Sequence, residues 1–225
     1  MEEATKSSIL LSLFSPDGEE GYPADLRVWV RYTLKDSALV ISYRAEANDD
    51  TVINLTNHAY FNLHGCTGKT VEDHMVQIFA SKKSETDDAL IPTGALIPVA
   101  GTPYDFREPH ALGERMPARF GGYDDSFHFD ELSPQYIAGE KLPLVCRVWG
   151  GNLLMEVFTD RPDMQLYSGN FLRGKPDFRG GTERKNHGGL CLETHIPADA
   201  PNWGEGILRK GEVYQTVTVY RVRRQ

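Results

Sequence analysis

Leu26, Val28, Val30, Tyr32 and Leu34 alternate with Arg27, Trp29, Arg31 and Thr33. A side-chain period of two belongs to an extended strand with one apolar face; helical apolar positions recur every three to four residues instead. Leu39, Ile41, Tyr43 and Ala45 repeat the pattern after Lys35-Asp36-Ser37, which predicts a hairpin. A second hairpin is predicted from Leu144–Trp149 and Asn152–Thr159 around Gly150-Gly151, because glycine accepts the positive φ of a tight turn. Ile9–Phe14, Val76–Ala80, Leu190–Glu193 and Val213–Tyr220 read as further strands. Ser15-Pro16-Asp17-Gly18, Asn48-Asp49-Asp50, Ile91-Pro92-Thr93-Gly94 and Arg209-Lys210-Gly211 read as turns. Only Glu108–Met116, with Pro109 early in it, suggests a turn of helix. Many short strands between turns predict an all-β sandwich or barrel.

Charge and cysteine usage narrow the functional classes. The 225 residues carry 24 basic and 32 acidic side chains, a formal charge of −8, so nucleic-acid binding through a net basic footprint is excluded. Hydrophobic residues make up 40% of the chain, enough for a substantial core, yet no apolar run approaches a bilayer span. Met1-Glu2-Glu3-Ala4 is acidic and lacks the pattern of an export signal. Cys66, Cys146 and Cys191 are odd in number and widely spaced, which predicts reduced thiols in a cytoplasmic protein rather than a disulfide framework or a zinc knuckle.

Four segments concentrate chemistry. In Asn54-Leu55-Thr56-Asn57-His58-Ala59-Tyr60-Phe61-Asn62-Leu63, an extended backbone puts Asn54, Thr56, His58, Tyr60 and Asn62 on one face. Amides grip hydroxyl-rich ligands and aromatic faces pack on sugar C–H surfaces; the structural alternative is a buried histidine held by asparagines. In Gly188-Gly189-Leu190-Cys191-Leu192-Glu193-Thr194-His195, an extended backbone sends Cys191, Glu193 and His195 opposite to Leu190, Leu192 and Thr194. A glutamate between leucines is costly to bury unpaired. It is therefore a candidate base, or else one half of an ion pair with Arg221 or Arg223. A metal on His187, Cys191 and His195 is disfavoured, because four strand residues span about 13 Å. Gly121-Gly122-Tyr123-Asp124-Asp125-Ser126-Phe127 places two adjacent acids at a turn before a strand, and at most one of them is expected to enter a given site. Tyr167-Ser168-Gly169-Asn170 ends another strand with an amide.

Together these segments resemble the aldose 1-epimerase (galactose mutarotase) family. Ser15-Pro16-Asp17-Gly18-Glu19-Glu20-Gly21-Tyr22-Pro23 is similar to the family's SPDGEEGYPG stretch, with Ala24 for the final glycine. Asn54–Leu63 is similar to NLTNHSYFNL, with Ala59 for serine, and Leu190–Thr194 to its CLET strand. Ile91–Gly94, Pro98–Phe106 and Gly122-Tyr123-Asp124 follow in the family's order. The resemblance implies a galactose-mutarotase-like β-sandwich (supersandwich) over residues 1–225. It further implies interconversion of the α and β anomers of free aldohexoses such as galactose or glucose, with no cofactor, metal, nucleic-acid or membrane partner. It implies His58 as catalytic acid and Glu193 as catalytic base. Asp124 is then a holder of substrate hydroxyls, with Asn57, Tyr60 and Asn170 as further sugar contacts.

The chain departs from the pattern at two nearby places. The family has His-Asn after the aspartate where this chain has Asp125-Ser126, and Gln after Glu-Thr where it has His195. Both departures point at sugar preference or ring placement and leave the acid–base pair intact. The resemblance also implies a sandwich shortened at its N-terminus, since family members extend roughly a hundred residues further upstream and carry there an arginine and a second histidine. Those groups position the sugar, so two other readings stand beside the isomerase: a non-catalytic carbohydrate-binding or interaction protein on the same fold, and a hexose-6-phosphate 1-epimerase. The last would need Arg or Lys converging on phosphate, and the sequence sets none beside His58 or Glu193. The oligomeric state is not read from the sequence.

Overall fold

A computed structural model describes residues 1–117, 121–173 and 183–225. The chain begins with β1 (Glu3–Ala4), β2 (Ser8–Ser15), β3 (Leu26–Lys35), β4 (Ala38–Ala47) and β5 (Thr51–Val52). Next come β6 (Met75–Ile78), β7 (Lys82–Thr86), β8 (Pro92–Pro98), β9 (His110–Ala111) and β10 (Asp124–His128). A small hairpin of β11 (Gln135–Ile137) and β12 (Glu140–Leu142) precedes β13 (Leu144–Gly150), β14 (Leu153–Thr159) and β15 (Asp163–Tyr167). The last strands are β16 (Cys191–His195), β17 (Ile207–Leu208) and β18 (Val213–Arg224). Among the described residues, helix is limited to 3₁₀ turns at Glu19–Gly21, Leu112–Arg115 and Ala200–Trp203, so the helical turn expected over Glu108–Met116 contracts to its second half. None of these is long or apolar enough to cross a membrane.

Two large sheets account for the all-β expectation. Nine strands run in the order β1-β2-β3-β4-β18-β14-β13-β6-β9, and five in the order β16-β15-β10-β7-β8. The alternation seen in the sequence seals them together. Val76 and Ile78, Cys146 and Val148, Met155 and Val157, and Tyr220 point from the larger sheet into one core, where they meet Phe127, Met164, Leu166, Leu190 and Leu192 from the smaller. The opposite face of the larger sheet presents Ala38, Val40, Phe158 and Val219, which Ile137 and Leu142 of the β11–β12 hairpin cover. A strand buried on both faces explains why β14 is nearly continuous in apolar residues.

The first predicted hairpin forms as β3–β4, with Asp36 and Ser37 both at positive φ (51° and 60°), the geometry of a two-residue turn whose twist suits a hairpin. The second forms as β13–β14 with its turn one residue later than expected, at Gly151-Asn152. Gly150 instead ends the strand opposite Leu153, and a Cβ there would stand 2.7 Å from His74 Nε2 and 2.9 Å from Leu63 Cβ. Ile91-Pro92-Thr93-Gly94 is not a free turn, because Pro92 starts β8, the edge strand of the smaller sheet. Proline is tolerated as the first residue of such a strand.

Candidate active site

Three strands of the smaller sheet share one polar face. Because Phe127, Met164, Leu166, Leu190 and Leu192 enter the core, the alternate residues of β10, β15 and β16 point the other way. Register lines them up in rows: Asp124 beside Tyr167 beside Cys191, Ser126 beside Gln165 beside Glu193, and His128 beside Asp163 beside His195. A cleft of about 350 Å³ lies over this face, lined by Asp124, Ser126, Gln165, Glu193 and His195 with Thr56 and Thr86 at its sides.

The segment carrying His58 completes the wall. Residues 54–61 run along β16 without a regular ladder and are pinned at both ends. Phe61 and Leu190 exchange backbone hydrogen bonds of 2.8 and 2.9 Å. At the far end the Asn54 amide donates to Ile196 O (2.8 Å) and accepts from Ile196 N (3.2 Å). Continuing the Phe61–Leu190 pairing back by three residues sets His58 beside Glu193 and Tyr60 beside Cys191. His58 Nε2 lies 3.4 Å from Glu193 Oε1, and His58 Nδ1 lies 3.3 Å from Cys191 Sγ. Tyr60 and Tyr167 flank the imidazole, with ring centroids 5.0 and 5.9 Å away.

The expected face is thus divided. Thr56 lines the cleft and His58 reaches Glu193 at its wall with Tyr60 beside the imidazole, whereas the Asn54 amide holds Ile196 and the Asn62 amide holds the carbonyls of Lys69 (2.8 Å) and Gly188 (3.0 Å). Asn57 is half-buried, and its amide donates to the Tyr220 hydroxyl (3.0 Å), which anchors the segment to β18. Asn170 is buried. Its amide donates to Tyr123 O (3.0 Å) and accepts from Ser168 Oγ (2.6 Å), beneath the backbone that leads into Asp124. Asp124 itself is exposed and accepts from Gln165 Nε2 (2.8 Å). Asp125, its neighbour, is tied to Lys83 Nζ (2.8 Å).

Two structural alternatives for the central residues fall away. The His58 side chain is 52% exposed, not a buried histidine caged by asparagines. Glu193 is not the partner of the β18 arginines. Arg221 and Arg223 bind Glu156 (2.6 and 3.3 Å) instead, because register sets Glu156 of β14 opposite Arg221. The basic side chain in contact with Glu193 is His58.

Electrostatics suit a proton-transfer pair. Burial pushes the Glu193 carboxyl above the ordinary glutamate range, the nearby His58 pulls it back, and the Asp124 charge pushes it up again; burial wins. Burial also keeps the Cys191 thiol protonated well above its usual range. His195 is drawn down to about 4 by burial, so it is neutral at pH 7. Gln165 was not singled out by the sequence, and Tyr167 only as the start of the Tyr167–Asn170 segment valued for its amide, because only the β10–β15–β16 register brings both side chains to the site.

A family model described as aldose 1-epimerase matches residues 1–221. The galactose mutarotase of Rattus norvegicus is 40% identical over 223 residues, covering 97% of this chain and 64% of the relative. The aldose 1-epimerase of Escherichia coli (strain K12) is 35% identical over 226 residues, covering 95% of this chain and 63% of the relative. Among solved structures, a GalM/aldose epimerase homologue from C. elegans is similar at a TM-score of 0.85 and 27% identity, over 99% of this chain and 67% of that one. The chain therefore spans just under two thirds of the length of these curated relatives.

Proposed function

The chain belongs to the aldose 1-epimerase family, and on that premise we propose that its 1–225 sandwich converts free aldohexoses between α and β anomers. The observation that carries the proposal is the 3.4 Å contact between His58 Nε2 and Glu193 Oε1 at the wall of the cleft. The two oxygens of a cyclic hemiacetal share one carbon, so the acid and base that open it must stand close together.

Glu193, as carboxylate, takes the proton from the O1 hydroxyl. His58, as imidazolium, gives a proton to the ring oxygen, and the bond from C1 to that oxygen breaks to leave the open aldehyde. After rotation about the C1–C2 bond the roles reverse: His58 takes back the hydroxyl proton while Glu193 returns its proton to the carbonyl oxygen. The ring closes on the other face of C1. No electron or phosphate moves. A base raised above the usual glutamate range accepts the hydroxyl proton more readily, which fits Glu193 for the task. Sugar seated between the pair separates it, so a contact in the free protein is compatible with turnover.

Asp124, held by Gln165, is the proposed acceptor for sugar hydroxyls, and Tyr60 and Tyr167 offer aromatic surface to the C–H face. None of Cys66, Cys146 and Cys191 is in a disulfide among the described residues, which fits work in a reducing cytoplasm. Exchange spectroscopy between the α and β anomeric proton signals of galactose tests the proposal: added protein should raise the exchange rate. Calorimetric sugar binding with no added exchange would support the non-catalytic carbohydrate-binding reading instead.

A further inference from the structure

We propose that Cys191, His58 and Glu193 form a site for a thiophilic divalent cation such as Zn²⁺, whose occupation excludes sugar chemistry at the same residues. One ligand atom from each of the three residues falls in a group spanning no more than 4.8 Å. Cys191 Sγ and His58 Nδ1 are already 3.3 Å apart, close to the roughly 3.5 Å between sulfur and nitrogen ligands of a tetrahedral zinc ion. A Glu193 oxygen already lies within 4.8 Å of the other ligand atoms, so a side-chain shift brings it to the same spacing. Thiolate, imidazole and carboxylate are the donor types zinc takes, and three of them leave a fourth position open to water.

The two side chains that must move are free to do so. His58 is half exposed, with the Tyr60 and Tyr167 rings beside it, and Glu193 opens onto the cleft, which gives the ion a route in. A second cluster, His64, Asp73 and His74, provides the contrast. His74 Nε2 accepts the Leu63 backbone N–H (3.0 Å) and its other nitrogen meets Asp73, so the imidazole is committed to the fold. At the Cys191 site the ion replaces a thiol proton, which passes to solvent; the burial that holds that proton on the free thiol opposes binding and is overcome by the cation's own charge.

Cobalt reports a thiolate ligand without any need for turnover. Titration of the reduced protein with Co²⁺ in thiol-free buffer is expected to give one equivalent of a thiolate-to-cobalt charge-transfer band, displaced by Zn²⁺. Cys191→Ser should abolish the band. His58→Ala, a change at an exposed position, should weaken Co²⁺ binding by more than the roughly 10- to 100-fold that loss of an outer-shell partner costs. His64→Ala should leave the titration unchanged. A band of wild-type strength in Cys191→Ser, which would put the metal on another thiol such as exposed Cys66, overturns the site, as does a wild-type titration with no band. Where anomer exchange is also observed, one equivalent of Zn²⁺ should stop it and a chelator restore it; full exchange in zinc-loaded protein contradicts the proposed exclusion. The cobalt titration judges the site even if the epimerase reading fails.

Discussion

Ser126 Oγ and His195 Nε2 lie 3.1 Å apart, so the two places where this chain departs from its family's motifs touch each other. The contact crosses from β10 to β16 over the Gln165 row of β15 and forms part of the cleft wall. The Ser126 hydroxyl also donates to Asp163 Oδ2 (3.4 Å), and Asp163 Oδ1 meets His128 Nδ1 (2.6 Å). A residue change at one end of this linked group is felt at the other.

Sugar preference is the first expected consequence. Ser126→Asn and His195→Gln together restore the family's residues at both ends of the contact. The pair is expected to change the ratio of kcat/KM for galactose over glucose by about tenfold, the scale of one repositioned polar contact. The single variants should be non-additive in a double-mutant cycle, because they share that contact.

Stability should also fall with acid through His195. Its folded pKa, about 4, lies below the ordinary value of 6.5, so the unfolded chain binds more protons between those limits. The neutral imidazole's contribution is complete above pH 6.5 and is lost as pH falls from 6.5 toward 4, by up to roughly 3 kcal/mol. Chemical denaturation of wild type and His195→Gln across that window checks it; the variant should lose less stability on acidification.

For activity, the acidic limb of the pH profile follows Glu193, which must be a carboxylate to act as base. Its raised pKa moves the limb above the ordinary glutamate range. The Asp124 charge contributes to that rise, so Asp124→Asn should move the limb to lower pH while weakening sugar binding. Initial rates from pH 4 to 8 are the measurement.

Tyr167 is expected to act through its ring. It stands edge-on to His58 and 6.2 Å from the Tyr60 ring. Tyr167→Phe should stay close to wild type, whereas Tyr167→Ala should raise KM for galactose and loosen His58, with a combined loss of about 1–2 kcal/mol in kcat/KM.

Far from the cleft, Glu156 tests the larger sheet. Its buried carboxylate accepts from Arg221 Nε (3.0 Å) and Nη2 (2.6 Å). Arg221→Met is expected to cost roughly 1.5–3 kcal/mol in urea unfolding, the scale of hydrogen bonds to a charged group, and to leave anomer exchange unaltered.

Particular residues show what the sequence could and could not disclose. Alternation along Leu190–His195 placed Glu193 on the polar face and the leucines in the core, because strand geometry is local. The same logic worked for His58 and Tyr60, although their segment has no regular ladder. It did not foresee that the Asn54 and Asn62 amides bond neighbouring carbonyls, or that Asn57 and Asn170 have protein partners in Tyr220 and Tyr123. Arg221 was matched to the wrong glutamate because cross-strand register, which pairs it with Glu156, leaves no trace in either strand alone. Gln165, and the place of the Tyr167 ring beside His58, were hidden for the same reason. Pro92 and Gly94 looked like a turn, yet an edge strand accommodates both.

The central claim is that Glu193 and His58 together open the hemiacetal ring. Polarimetry of freshly dissolved α-galactose, with wild type and Glu193→Gln at equal concentration, tests it most directly. Wild type should bring the rotation to equilibrium well ahead of buffer, and Glu193→Gln should lose about 10²- to 10⁴-fold of that acceleration while still binding sugar. Equal relaxation in wild type, Glu193→Gln and buffer would contradict the account, as would full acceleration by the variant.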